Sequence, residues 1–228
     1  MIVLALDASL SACSAAVRSD SRLVAQRFEH MARGQSEALV PMLRDTMIAA
    51  GVSFTDLSAL AVTVGPGGYT GVRIGLSAAR GMALATGLPL LGVTTFDAVA
   101  RAVRDAEGVD GLNIVVALET KRTDIYVQFF TRELAPLGGP MVLAPEKVLL
   151  PDGPVGVAGD AADRLISGLR DQDRARTSRV GTARLDQPDA AIVACIACER
   201  LAADPGILGG PMPRPLYLRP PSVTVAPN

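Results

Sequence analysis

The spacing of apolar and polar positions changes several times along the chain, and each change marks an element. Three short apolar runs open it: Ile2 to Leu6, Cys13 to Arg18 and Leu23 to Phe28. Asp7, Ser9 and Ser11, then Ser19, Asp20 and Ser21, separate them, and the pattern predicts three strands joined by turns. From Ser36 to Ala50 the period becomes helical, with Leu39, Leu43 and Met47 on one side, Val40 and Ile48 beside them, and Gly51 placed to stop the helix. Leu60 to Val64 predicts a strand and a Gly-rich stretch follows. Val72 to Thr86 predicts a helix ended by Gly87 and Pro89, and Leu90 to Val93 opens the next strand. The first half therefore reads βββαβα.

The pattern then starts again. Val3-Leu4-Ala5-Leu6-Asp7-Ala8 and Val115-Val116-Ala117-Leu118-Glu119-Thr120 are alike: each is an apolar strand ending in a carboxylate, then a polar turn. A second apolar strand follows in each case, Ala12 to Val17 and Ile125 to Phe130. A repeat of about half the chain length is too long for a solenoid and points to two halves of similar topology facing each other. This resembles the actin-like ATPase (ASKHA) superfamily, whose two halves enclose a nucleotide cleft with a carboxylate from each. The expected fold class is α/β, with the second half reduced.

The expected organisation is an N-terminal half over residues 1–106, a second half over 107–203 and a Pro-rich extended tail over 204–228. In the second half, Val155 to Ala158 predicts a strand, Ala161 to Leu169 a helix, and Pro188 to Ala203 a last helix packing back on the first half. Arg170 to Arg184 is polar and mixed in charge and reads as a solvated loop. Seven of the 16 prolines fall after residue 203, so regular structure is expected to stop near Asp204, with Pro215-Leu216-Tyr217-Leu218-Arg219 as the one sticky point of the tail.

Composition narrows the function classes. No apolar run approaches the ~20 residues of a membrane span, and Met1-Ile2-Val3 leads straight into a strand with no export pattern. The expectation is a soluble, cytoplasmic protein without a membrane partner. Three cysteines suit a reducing compartment, and Cys195 and Cys198 read as small residues of an Ala-rich helix. The net charge of −1 provides no basic field to capture RNA by counterion release, so any RNA contact is expected to be shared with a partner. His30 is the only histidine, which leaves no paired histidines for a metal centre and no His-Glu-x-x-His pattern.

The Gly-rich stretch runs Gly65-Pro66-Gly67-Gly68-Tyr69-Thr70-Gly71-Val72-Arg73-Ile74-Gly75. A strand, a glycine loop and a helix in succession gather backbone N–H groups at a helix N-terminus, where an anion is favoured. The stretch is not a Walker A sequence, since no Lys-Ser/Thr pair follows the glycines. Anion binding and a structural tight turn both fit it. In the helix beyond, Gly71, Gly75, Ala78 and Met82 share one side, while Arg73, Ser77 and Arg80 lie on another. The small side suits close approach of a neighbouring helix, from within the subunit or from another chain.

The same eleven residues closely match the Gly-Pro-Gly-Ser-Phe-Thr-Gly-Val-Arg-Ile-Gly signature of the TsaB (YeaZ) family. The opening Leu4-Ala5-Leu6-Asp7-Ala8-Ser9, the Gln35-Ser36-Glu37 helix start and the closing Pro215-Leu216-Tyr217-Leu218-Arg219 also fall where that family has them. The chain departs from the family at Gln35, often His there, and at Glu119, where Asp is usual. Both departures argue against chemical duties at those positions.

The resemblance implies a subunit of the complex that transfers a threonylcarbamoyl group to the adenosine beside the anticodon, in tRNAs reading codons that begin with adenine. In that complex TsaD carries the metal and the catalytic site, TsaB pairs with it through helices of its first half, and the ATPase TsaE joins them. The expected chain is thus a non-catalytic partner subunit without a metal or cofactor of its own, with ATP or ADP at the shared interface and tRNA met through the complex. The interface residues would be Ser36, Leu39, Leu43, Met47, Gly71, Arg73, Gly75, Ala78 and Met82, and the same face would serve a homodimer in TsaD's absence. Asp7, Gly65, Gly67, Gly68 and Glu119 stand where a vestigial nucleotide site would lie. The rival reading is a small ATPase or sugar kinase that uses Asp7 and Glu119 around magnesium; no residue stands out as its catalytic base.

Overall fold

The computed structural model describes residues 1–106 and 109–219. The boundary expected at residue 107 and the tail beyond Arg219 lie outside the described residues. The first half runs β1 (Ile2–Asp7), β2 (Ala12–Ser19), β3 (Arg22–His30), α1 (Gln35–Ala50), β4 (Ala59–Thr63), α2 (Tyr69–Thr86), β5 (Leu90–Val93) and α3 (Thr95–Arg104). The second runs β6 (Asn113–Glu119), β7 (Ile125–Phe130), β8 (Met141–Leu143), β9 (Val155–Ala158), α4 (Ala162–Gly168), α5 (Asp171–Arg174), β10 (Thr177–Arg179) and α6 (Ala190–Ala203). The sheet orders are β3-β2-β1-β4-β5 and β10-β9-β6-β7-β8. In each sheet the first strand pairs antiparallel with the second and parallel with the fourth, so the duplication read in sequence is a duplication of topology. The second copy is reduced: β8 and β10 have three residues each, and a single 3-10 turn over Pro145–Lys147 stands where the first half has α1.

Alternation along the strands sends side chains to both faces of the first sheet. Leu4, Leu6, Val17, Leu60 and Val62 meet α1 and α2 on one face. The small residues Ala5, Ala16, Ala59 and Ala61 meet Ala190, Ala194 and Ala197 of α6 on the other. Conversely α3, made in the first half, lays Phe96, Val99 and Val103 against Ile114, Val116 and Leu118 of the second sheet. Each sheet is therefore covered in part by a helix from the opposite half. Cys195 and Cys198 pack in α6 as small buried residues, and burial pushes both thiols up. Among the described residues no helix is long and apolar enough to cross a membrane.

Three sequence expectations change here. Regular structure does not stop at Asp204, whose side chain caps a 3-10 turn over Pro205–Gly209. The helix expected from Val72 begins three residues earlier, at Tyr69, because Gly68 donates its N–H to the Ser9 carbonyl (2.8 Å) and Gly71 lets the first helical turn lie on Ala8. The segment from Arg170 to Arg184 is not a solvated loop. It contains α5 and β10, which extends the sheet parallel to β9. Its arginines cap carbonyl groups: Arg174 donates to the oxygens of Ile166, Ser167 and Leu169, and Arg176 to those of Pro151 and Gly153. Arg184 lies 3.8 Å above the Phe28 ring and pairs with Asp189. Polarity alone does not distinguish guanidinium groups spent on backbone from groups facing water.

Candidate functional site

A cleft of about 860 Å³ opens between the two halves. Its walls come from the β1–β2 turn, the start of α1, the Gly-rich stretch, the β6–β7 loop with Glu119 and Lys121, Asp160 after β9, and the tail from Leu216 to Arg219. The sequence reading assigned it Gly67, Gly68 and Glu119, and all three line it. Asp7 and Gly65 do not. Asp7 is fully buried beneath the turn. Its Oδ1 accepts from the Ser9 N–H (3.0 Å), the Ser9 hydroxyl (2.7 Å) and the Thr63 hydroxyl, while the Ser9 and Thr95 hydroxyls are 3.2 Å apart. Oδ2 is buried without a hydrogen-bond partner among the described residues. Burial outweighs these hydrogen bonds and pushes Asp7 up to about 6.

The Gly-rich stretch closes on that same turn. A Cβ at Gly67 would stand 2.3 Å from the Ser9 carbonyl oxygen, and one at Gly71 would stand 2.1 Å from that of Ala8. No side chain fits such a gap, so these glycines are explained by main chain packed on main chain. The N–H of Gly68 is spent on Ser9. Gly65 takes φ +96°, packs against Val72 and the Leu216 carbonyl, and accepts the Thr95 N–H (2.9 Å). Of the two readings the glycines allowed, the tight structural turn accounts for their contacts. Gln35, read as a departure from its family, ties α1 to the turn: its amide donates to the carbonyls of Leu10 (3.3 Å) and Met31 (3.0 Å).

The opposite wall is built differently. The Glu119 carboxylate accepts from Arg164 (2.7 Å), which also donates to the carbonyls of Arg122 (2.6 Å) and Asp124 (3.3 Å) and so holds the β6–β7 loop. Asp160, not assigned a role from sequence, accepts the Glu119 N–H (2.9 Å) and keeps an open face to the cleft. Protein packed around its carboxylate, helped by the Glu119 and Asp186 charges, pushes it up to about 6. Its signal in the sequence is the Gly159-Asp160 pair closing a strand. Among the described residues the lining holds no histidine or cysteine. His30 sits exposed at the end of β3, edge-on to Phe28.

The expected interface residues fall on several surfaces. Leu39, Leu43 and Met47 are buried against the first sheet, with Ala78 and Met82 half-buried beside them. Gly71 and Gly75 face Ala8 and Val62 of their own chain, and Arg73 lies over the Tyr69 ring with Tyr217 of the tail beside it. Of the nine, Ser36 alone is exposed. The assignment fails for the buried residues because periodicity separates the sides of a helix without saying which side meets the sheet. The outward side of α1 carries Val40 and Ile48, 62% and 70% exposed, and that of α2 carries Ser77, Gly81 and Leu84, the last 84% exposed. A Cβ at Gly81 would touch nothing within 4 Å.

A family model for TsaD, the tRNA N6-adenosine threonylcarbamoyltransferase, matches residues 28–181. The chain belongs to the TsaD family, on its TsaB (YeaZ) branch. It is 35% identical over 133 residues to the tRNA threonylcarbamoyladenosine biosynthesis protein TsaB of Escherichia coli K12, a match covering 58% of this chain and 56% of that protein. The chain thus spans a little over half the length of the curated relatives it matches. A solved structure from Pseudomonas aeruginosa, described as similar to peptidase YeaZ, superposes with a TM-score of 0.81 at 27% identity, covering 96% of this chain and 99% of that one. The activator of 2-hydroxyisocaproyl-CoA dehydratase from Clostridium difficile shares the fold alone, with a TM-score of 0.51 at 10% identity over 90% and 97% of the two chains. The architecture is the actin-like ATPase fold of these neighbours.

Proposed function

We propose that this chain serves threonylcarbamoyladenosine biosynthesis on tRNA as a non-catalytic subunit that binds TsaD, with TsaE joining the pair and tRNA met through the complex in the cytoplasm. The outward side of α1 and α2 carries the reading. Val40, Ile48 and Leu84 leave apolar surface in water. Gly81 costs an exposed helix about 1 kcal/mol relative to Ala and faces open space among the described residues, which fits close approach by a partner helix. The kinase reading is weakened by Asp7, which is buried and engaged by Ser9 and Thr63, and by glycines packed on their own backbone. In our reading the chain holds no nucleotide of its own, and ATP or ADP in the assembled complex lies at the shared interface.

The test replaces Val40 and Ile48 with Asp. Because both side chains are exposed, the variant is expected to keep its melting temperature within a few degrees. It should lose co-purification with TsaD and reconstituted tRNA modification together. Pairing that survives in a folded V40D/I48D variant would overturn the assignment, and self-association lost without loss of TsaD binding would make this face a homodimer surface only.

A further inference from the structure

The tail touches both halves on the cleft side. It starts beside the last turns of α2, where Pro211, Met212 and Arg214 line a groove with Arg80 and Leu84. Arg80 donates to the Pro213 carbonyl, and the Leu216 N–H donates to the Val64 carbonyl (2.8 Å). Tyr217 stacks on Tyr69 with ring centroids 6.1 Å apart. The Arg73 guanidinium lies 3.2 Å from the Tyr69 ring centroid and 5.0 Å from that of Tyr217, a cation–π arrangement at the rim of the cleft. The chain then crosses: Leu218 packs into the cluster of Leu118 and Phe130, and Arg219 pairs with Asp124 at the end of the β6–β7 loop. Tyr69, Arg73 and Arg80 fall on one flank of α2, so the segment runs along that helix from its end to its start before reaching the second sheet.

We propose that residues 211–219 are a releasable strap that clamps the two halves together and gates the cleft. The attachment is of the kind that opens locally. Its stacked rings are exposed, Tyr69 by 63% and Tyr217 by 47%, and Leu216 and Leu218 are only half-buried. Pro211, Pro213 and Pro215 have no N–H to anchor. They also lower the entropy lost when the strap re-docks. Segments with few buried contacts open at a fraction of the global unfolding free energy. Since Leu216 to Arg219 form part of the cleft wall, lifting them widens access to it and removes the Arg219–Asp124 pair from the loop that carries Lys121, leaving the Arg164 contacts to hold it more loosely.

Hydrogen–deuterium exchange on the isolated chain tests this without reference to TsaD. In the unaltered protein the Leu216 amide is expected to exchange at least about 100-fold faster than the β4 amides of Leu60 and Val62. In a Tyr217→Ala/Arg219→Ala variant, residues 65–73 and 119–126 should exchange at least about tenfold faster, with β1, β4 and α6 unchanged; Asp124→Asn should reproduce the effect on 119–126. Tyr69→Cys with Tyr217→Cys, oxidised, should slow exchange in both segments relative to its reduced form. A Leu216 amide as slow as the core, unchanged exchange in both segments, or loss of protection throughout the first sheet would each overturn the strap, because the tail would then be loose packing or integral core.

Discussion

The β1–β2 turn and the β6–β7 loop occupy equivalent places in two sheets of the same order, yet their carboxylates are treated in opposite ways. Asp7 is sealed under hydroxyl groups, with no cation against it among the described residues. Glu119 stands at the cleft wall, neutralised by Arg164. The backbone is more alike than the chemistry: each half presses a glycine onto the main chain near the end of its first strand, Gly71 on Ala8 and Gly159 on Ala117, both with a virtual Cβ 2.1 Å from a carbonyl oxygen. A duplicated strand-carboxylate-turn pattern therefore preserves geometry while the electrostatics of the two copies diverge.

The largest expected effect tests the shared geometry. Gly71→Ala and Gly159→Ala each force a methyl into a carbonyl oxygen and should destabilise by about 3 kcal/mol or more, read as the shift in denaturant midpoint at constant slope. Gly159→Ala should lose the more, because Gly159 also takes φ +98° while Gly71 is helical; a loss below about 1 kcal/mol at either position would mean that its half tolerates the displacement.

Asp7 comes next and tests the electrostatic difference. Its folded pKa of about 6 lies above the ~4 of an unfolded aspartate, so folding favours the protonated acid. That contribution is complete below about pH 4 and is lost as the pH rises through 6, which amounts to about 3 kcal/mol at pH 7. Asp7→Asn should remove this dependence, so that the variant gains on the parent protein between pH 4 and 7 in thermal melts. Parallel curves would show that Asp7 is not the group responsible.

Arg164→Gln tests the opposite wall with a smaller effect. The pair it forms with Glu119 is about a third exposed on each side, so screening limits its worth, and the two carbonyl contacts bring the expected loss to about 1–2 kcal/mol. The loss should shrink in high salt, whereas that of Gly71→Ala should not.

The fold was largely legible because its signals are local. Ile125 to Phe130 and Val155 to Ala158 are strands to the residue, and Gly51 and Gly87 end α1 and α2 in left-handed conformations. The site was legible in location but less so in role. Gly67 and Gly68 fit a phosphate cradle and a tight turn alike in sequence, because the partner they close on, Ser9, is distant along the chain. Leu39, Leu43 and Met47 looked like an outward face because the sheet that covers them is assembled only in three dimensions. Asp160 was passed over because a lone Gly-Asp after a strand is common, and its nearness to Glu119 depends on β6 and β9 lying side by side.

The exchange of α3 and α6 between the sheets bears on how the chain is made. The ribosome delivers the first sheet early and the helix that covers one of its faces only after the second sheet, at residues 190–203. Until then a surface that includes Val3, Ala5, Ala61, Leu91 and Val93 has no cover from its native helix, so a nascent or truncated product ending before Ala190 should be a client for holdase chaperones and prone to self-association. Completion of the first half therefore waits on synthesis of the second.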